Sequence, residues 1–203
     1  DALIAESVSA PIAPAIYEKD LLVTEILNAV SGQSFVGAQL LFAGGTSLSK
    51  GFGLLERMSE DIDFKVLVDD PAISNAARRK LLSNIKLSIS QTLEDLGFTT
   101  IEVSAHSANQ VVSLQARYQP YFPMPEGMRD FIAIDLNARN IRYNSTSRSI
   151  CSLLDKQLVA FGKQENLFQI NCVIPSQTAA EKILALLRRL EQHEAGLLSE
   201  PFD

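Results

Sequence analysis

Asp61-Ile62-Asp63-Phe64-Lys65-Val66-Leu67-Val68 is the stretch on which the fold turns. Ile62, Phe64, Val66 and Val68 alternate with Asp61, Asp63, Lys65 and Leu67, the period of two that a half-buried strand requires. One face is wholly apolar and anchors the strand in a core. The other carries two carboxylates whose Cα atoms, at ~3.3 Å rise per residue, stand roughly 6.6 Å apart, within reach of one divalent cation. Two acids side by side repel unless a cation or a base neutralises them. A hard, oxygen-seeking ion such as Mg²⁺ suits them, and it keeps open positions for phosphate oxygens. Glu60 adds negative density and is expected to point the other way. An isolated Asp-x-Asp is more often a solvated strand face, so the surroundings must decide.

Two neighbouring features favour a site. Phe131-Ile132-Ala133-Ile134-Asp135-Leu136 is a second alternating strand, with Ile132, Ile134 and Leu136 on the face away from Asp135. If the two strands are neighbours, Asp135 joins Asp61 and Asp63, and three acids can hold one or two metals that activate a hydroxyl and stabilise leaving pyrophosphate. Upstream, Leu40-Leu41-Phe42-Ala43 runs into Gly44-Gly45-Thr46-Ser47, read as a turn opening a small helix that ends at Gly51. Glycines let the backbone approach a phosphate closely, and Thr46 or Ser47 adds a hydroxyl or caps the helix. Neither a Walker loop nor a dinucleotide-binding glycine fingerprint is present.

Further out, Ile16 to Val30 fits one helical face and ends at Ser31-Gly32. Asp70-Pro71 is expected to cap and open a helix carrying Ile73, Ala77, Leu81, Ile85, Ile89 and Leu96, terminated by Gly97. Val111 to Tyr118 reads as a strand joined to Phe131–Ala138 by the Pro-rich segment Gln119–Gly127. After Asn140 the pattern is mainly helical. Thr178-Ala179-Ala180-Glu181 reads as a capping box, with Ala180, Ile183, Leu184 and Leu187 on one apolar face and Lys182 nearly opposite.

From Phe42-Ala-Gly-Gly-Thr-Ser-Leu-Ser-Lys-Gly51 through Arg57-Met-Ser-Glu-Asp-Ile-Asp-Phe64, the chain resembles the AbiEii/AbiGii toxin family of nucleotidyltransferases, within the DNA polymerase β-like superfamily. Tyr17-Glu18-Lys19-Asp20 resembles that family's Glu-Lys-Asp opening helix, and Ala180-Glu181-Lys182-Ile-Leu-Ala185 its Glu-Lys-x-x-Ala helix. The resemblance implies an α+β fold, a nucleotidyltransferase-type mixed β-sheet flanked by helices with a helical C-terminal part. It implies transfer of a nucleoside monophosphate from an NTP to an acceptor hydroxyl, dependent on Mg²⁺ or Mn²⁺. Asp61, Asp63 and Asp135 match the metal-binding and catalytic acids, Gly44, Gly45 and Thr46 the phosphate-cradling turn, and Lys182 the lysine near the triphosphate. The family's toxins belong to toxin–antitoxin and phage-defence systems, which implies a cognate antitoxin and tRNA or a protein as acceptor. The competing reading is a catalytically inactive nucleotide- or antitoxin-binding module of the same fold.

On this basis residues 1–15 are expected to be a flexible lead-in, 16–140 the catalytic core and 141–203 a mainly helical C-terminal part. The family's Arg-Asp-x-x-Asp segment beyond the Glu-Lys helix has no counterpart before Asp203, so the chain is expected to be a shortened or truncated member. With 46% hydrophobic and 21% charged residues the composition is that of a globular protein with a real core. A net charge of −6 argues against a surface that grips nucleic acid throughout, though not against a local basic patch. Two cysteines, Cys151 and Cys172, are too few for a disulfide framework, so a cytoplasmic location is expected. No apolar run is long enough for a membrane span. Lys50 and Arg57 bracket the loop between glycines and acids and are candidates to meet phosphate. Arg78-Arg79-Lys80 and Arg139, Arg142 and Arg148 are small basic clusters. His106 and His193 lack metal-ligand spacing, and the serines have no His/Asp partners for a hydrolase triad.

Overall fold

The alternating segment forms strand β2 over Asp61–Val68, as expected, and sits centrally in a sheet. The computed structural model describes residues 12–55, 59–138 and 143–194. In chain order the elements are α1 (Pro14–Ser31), β1 (Ala38–Ala43), α2 (Gly44–Lys50), β2, α3 (Asn75–Asp95), β3 (Thr99–His106), β4 (Val111–Arg117) and β5 (Phe131–Asn137). They continue with β6 (Ser145–Ile150), α4 (Leu153–Leu158), a 3₁₀ turn (Val159–Phe161), β7 (Phe168–Val173) and α5 (Pro175–Glu194). The seven strands form one mixed sheet in the order β3-β4-β5-β2-β1-β7-β6. β2 runs antiparallel to β1 and parallel to β5, and β1 runs parallel to β7.

The two faces of the sheet have different chemistry because the strands alternate in phase. Phe42, Ile62, Phe64, Val66, Val112, Leu114, Ala116, Ile132, Ile134 and Leu136 all bury on one face, where α1 contributes Val23, Ile26, Leu27 and Val30 and α3 contributes Leu82, Ile85, Ile89 and Leu93. Each fully buried side chain of this kind contributes about 1.5–3 kcal/mol relative to exposure. Phe42 and Phe64 are cross-strand partners with ring centroids 6.2 Å apart. Among the described residues, the opposite face carries a small buried apolar cluster of Leu41, Ala43 and Val173. Beside it lie the polar positions of β2, β4 and β5.

Three local expectations are corrected. Asp70-Pro71 does not open α3: the Asp70 carboxylate accepts the Ala72 N–H and closes a turn. The cap is Ser74, which is extended and accepts from the Ala77 N–H, so Ile73 lies outside the helix. Thr178-x-x-Glu181 is not a capping box, because α5 already starts at Pro175 and the Thr178 N–H bonds back to the Ile174 carbonyl. The region after Asn140, read as mainly helical, also supplies β6 and β7 to the sheet. The apolar face of α5 is exposed at Ile183, Leu184, Leu187 and Leu190. Of the lead-in read over 1–15, all but residues 12–15 lies outside the described residues.

Candidate active site

The parallel pairing of β2 with β5 sets Asp63 directly beside Asp135, with Asp61 two residues ahead on the same face, opposite Ala133. Antiparallel pairing of β5 with β4 then sets Ser113 beside Asp135, and the Ser113 hydroxyl donates to Asp135 Oδ1. Burial pushes the Asp63 carboxyl above its ordinary range; the charges of Asp135 and Asp61 push the same way, against Lys65 and Lys182. A cation at this point relieves that repulsion.

β1 delivers the glycine pair to the same place, because Ala43 is the register partner of Asp63. Gly44 has φ +74°, and a Cβ there would stand 1.8 Å from Asp63 Oδ2. The carboxylate therefore lies against bare backbone, which only glycine permits. Thr46, in the first turn of α2, is buried, and its hydroxyl is committed to the Asp61 backbone carbonyl. It neither caps the helix nor faces outward; it fixes the start of β2.

A charged web surrounds the acids. Lys19, on α1, is 0% exposed; its ammonium pairs with Glu60 Oε2 and donates to the Arg129 carbonyl at 2.6 Å. The same Glu60 oxygen accepts the Arg129 backbone N–H at 3.2 Å and its Nε–H at 3.4 Å. Arg129 Nη2 reaches Asp61 Oδ1, and its guanidinium lies over the Phe131 ring, 5.0 Å from the centroid. Although burial pushes Glu60 up, the Lys19 ammonium, the Arg129 N–H and the two positive charges hold it below the usual carboxylate range. Further along the same face of β2, Lys65 Nζ bonds Glu181 at 3.0 Å, and the Tyr143 hydroxyl donates to the same oxygen at 2.5 Å. This tie seats the first turns of α5, which bring Lys182 to the cleft.

Gly45, Ser59, Glu60, Asp61, Asp63, Arg129 and Lys182 line a cleft of about 270 Å³. A second, of about 240 Å³, is lined by Asp61, Ser113, Arg129 and Asp135 among others. Asp61 and Arg129 belong to both. Among the described residues no three acidic, histidine or cysteine side chains close around one point to cage an ion; Asp61 is turned to Arg129 and Asp135 to Ser113. The donor set still fits Mg²⁺ or a similar hard ion, which takes one or two carboxylates and completes its shell with water and substrate phosphate.

The structure thus brings together Gly44, Gly45, Asp61, Asp63, Asp135 and Lys182. Thr46 is adjacent but turned inward. Glu60, expected to point away, lines the cleft and anchors Arg129. Lys50 is not at the cleft: its ammonium is 2.6 Å from Asp20 and 2.9 Å from the Thr24 hydroxyl. Arg78 is also internal, donating to the Ala138 carbonyl at 2.6 Å, and Arg148 donates to the Gly51 carbonyl at 2.8 Å. Arg57, Arg139 and Arg142 lie outside the described residues. Arg129 and Ser113 carry no sequence signal of their own. A basic residue just before the strand that bears the third acid, and a hydroxyl in phase with it on the preceding strand, were the available hints.

Among solved structures, this fold is shared with MenT4, a nucleotidyltransferase toxin from Mycobacterium tuberculosis H37Rv, at a TM-score of 0.56 and 21% identity. The alignment covers 90% of this chain and 57% of that one, so the chain spans little more than half of MenT4. No curated protein matches the sequence. A family model described as the nucleotidyl transferase AbiEii toxin of type IV toxin–antitoxin systems matches residues 25–195, which takes in the glycine pair, all three acids and Lys182. The chain belongs to the AbiEii family of nucleotidyltransferase toxins.

Proposed function

We propose that this chain moves a nucleoside monophosphate from an NTP to an acceptor hydroxyl, with Mg²⁺ or Mn²⁺ held by Asp61, Asp63 and Asp135. The observation that carries the reading is the Asp63–Asp135 register pair, with Asp61 on the same face. The ion, when bound, offsets the charge that builds on the α-phosphate and the departing pyrophosphate. Asp135, oriented by the Ser113 hydroxyl, takes the proton of the acceptor hydroxyl. The new bond joins the acceptor oxygen to the α-phosphorus as the bond to the bridging oxygen of pyrophosphate breaks. Backbone at Gly44 and Gly45 lets the phosphates come close, and Lys182 supplies a positive charge to them. On this reading the acceptor is tRNA or a protein, the setting the cytoplasm, and the activity that of a toxin restrained by a cognate antitoxin.

The test incubates the chain with each labelled NTP, Mg²⁺ and total tRNA or cell lysate, beside an Asp63→Ala control. Label should move to an RNA or protein band and be lost with Asp63→Ala. Nucleotide binding without any transfer would instead favour the inactive binding module. Equal transfer by Asp63→Ala would remove the site assignment.

A further inference from the structure

We infer that Arg129 is a second cationic arm of the nucleotide site, receiving the β- and γ-phosphates from the other side of β2 to Lys182. This rests on the nucleotidyltransferase reading above. Arg129 and Lys182 line one cleft with Gly45, Asp61 and Asp63. Arg129 comes from the segment just ahead of β5 and Lys182 from α5, which follows β7, and β5 and β7 lie on opposite sides of β2 in the sheet order. An arginine whose work was only to neutralise Asp61 would need no further fixing. Here its backbone is gripped at both ends, the N–H by Glu60 and the carbonyl by Lys19, and its Nε–H is gripped by Glu60 as well.

The grip comes from a lysine with no exposed surface, and a buried ion pair of this kind adds little net stability. What it does is hold one residue in one place. Phe131 lies under the guanidinium at 5.0 Å and limits its swing. Two of the five N–H donors face Glu60 and Asp61. The side chain is 40% exposed, with the rest of its planar fork available to phosphate oxygens, which it suits better than an ammonium does. Were Asp61 to hold a cation, the Arg129 Nη2–H now bonded to it would be free to meet phosphate oxygens. Lys19 and Glu60 are then positioning residues, acting through Arg129.

The experiment measures equilibrium binding of the four NTPs, the four matching monophosphates and inorganic tripolyphosphate, each with and without Mg²⁺. It uses the full chain and its Arg129→Ala, Arg129→Lys and Glu60→Gln variants. Arg129→Ala should weaken NTP and tripolyphosphate by about 10- to 100-fold, the loss of charge-assisted hydrogen bonds. Monophosphates should change by less than about twofold, since no β- or γ-phosphate is there to meet the arm. Arg129→Lys should recover part of the loss, and Glu60→Gln should show a smaller loss with the same triphosphate selectivity. Unchanged NTP binding by Arg129→Ala, or equal weakening of tri- and monophosphates, overturns the assignment while leaving the enzyme reading intact. A wild-type chain that binds none of these probes overturns both.

Discussion

Gly44→Ala tests the most demanding contact in the site. The backbone there has φ +74°, a region that costs a non-glycine residue about 1–2 kcal/mol. The added Cβ would stand 1.8 Å from Asp63 Oδ2, 2.6 Å from its Cγ and 3.0 Å from its Cβ, so the carboxylate cannot stay where it is. Forcing Asp63 off its rotamer adds about 0.5–1.5 kcal/mol. The total is roughly 1.5–3.5 kcal/mol, which for a chain of this size lowers the melting temperature by about 3–14 °C. Activity should suffer more. Moving a catalytic group by an ångström costs on the order of 100-fold, so transfer should fall toward the level of Asp63→Ala. Gly97→Ala is the control: its φ is +89° and nothing lies within 4 Å of the new Cβ. It should lower the melting temperature through the backbone alone and leave transfer untouched. Thermal melts followed by circular dichroism, beside label transfer, separate the two effects. Wild-type transfer by Gly44→Ala, or equal transfer losses in the two variants, would refute the packing of Asp63 on Gly44.

Lys50→Met leaves the nearly buried Asp20 carboxylate without its cation and should cost about 3–5 kcal/mol, with Asp20→Asn/Lys50→Met recovering much of it. Urea unfolding of the two variants beside the unaltered chain checks this, and a neutral Lys50→Met would remove the pair from the list of supports. Burial, with the charges of Glu18, Glu60 and Asp130, pushes the Tyr118 phenol up to about 12. The folded chain then keeps a proton that the unfolded chain gives up near pH 10, so stability present below pH 10 is lost as pH rises toward 12. Ultraviolet titration of wild type against Tyr118→Phe should differ only in the last phenol to ionise, and a difference centred near pH 10 would contradict the burial.

The strands legible in the sequence are those with one apolar and one polar face. β2, β4 and β5 each bury every second residue, and that is a period a reader can count. β3 has the same kind of period, Ile101, Val103 and Ala105 alternating with Glu102, Ser104 and His106, and was missed all the same; the register shift between Glu102 and Ser104 belongs to its pairing with β4, which no sequence pattern shows. β6, Ser145-Thr-Ser-Arg-Ser-Ile150, is an edge strand exposed at every position but its last, so it has no apolar period to read. β7 did carry one: Phe168, Ile170 and Cys172 alternate with Gln169 and Asn171. It is short and follows a helix, and the helical pattern on either side of it drew it into the wrong class. The start of α3 was misplaced for a different reason. Asp-Pro suits a turn as well as a helix start, and Ser74 supplies the better cap.

The site was legible by residue type and not by contact. Alternation says which face Asp63 and Asp135 occupy, but it cannot say that β5 lies beside β2 or that the two acids share a row. A slip of one residue would send Asp135 into the core, and a slip of two would leave it on the right face but roughly 6.6 Å along the sheet. Beyond the strand pairing itself, the segments that flank these strands are tied from outside the sheet by Glu18-Lys19-Asp20. Successive helix residues point about 100° apart, so these three reach three separate segments. Glu18 accepts the N–H groups of Tyr121 and Phe122, in the link between β4 and β5. Lys19 takes Glu60 and the Arg129 carbonyl, at the starts of β2 and β5. Asp20 takes Lys50 and the Leu153 N–H, at the end of α2 and the start of α4. A short charged motif that reads as the opening of a helix thus ties together the strand ends that carry the acids, without touching Asp61, Asp63 or Asp135. Its loss should disorganise the site before it unfolds the core, because the apolar face of the sheet is packed by other residues of α1.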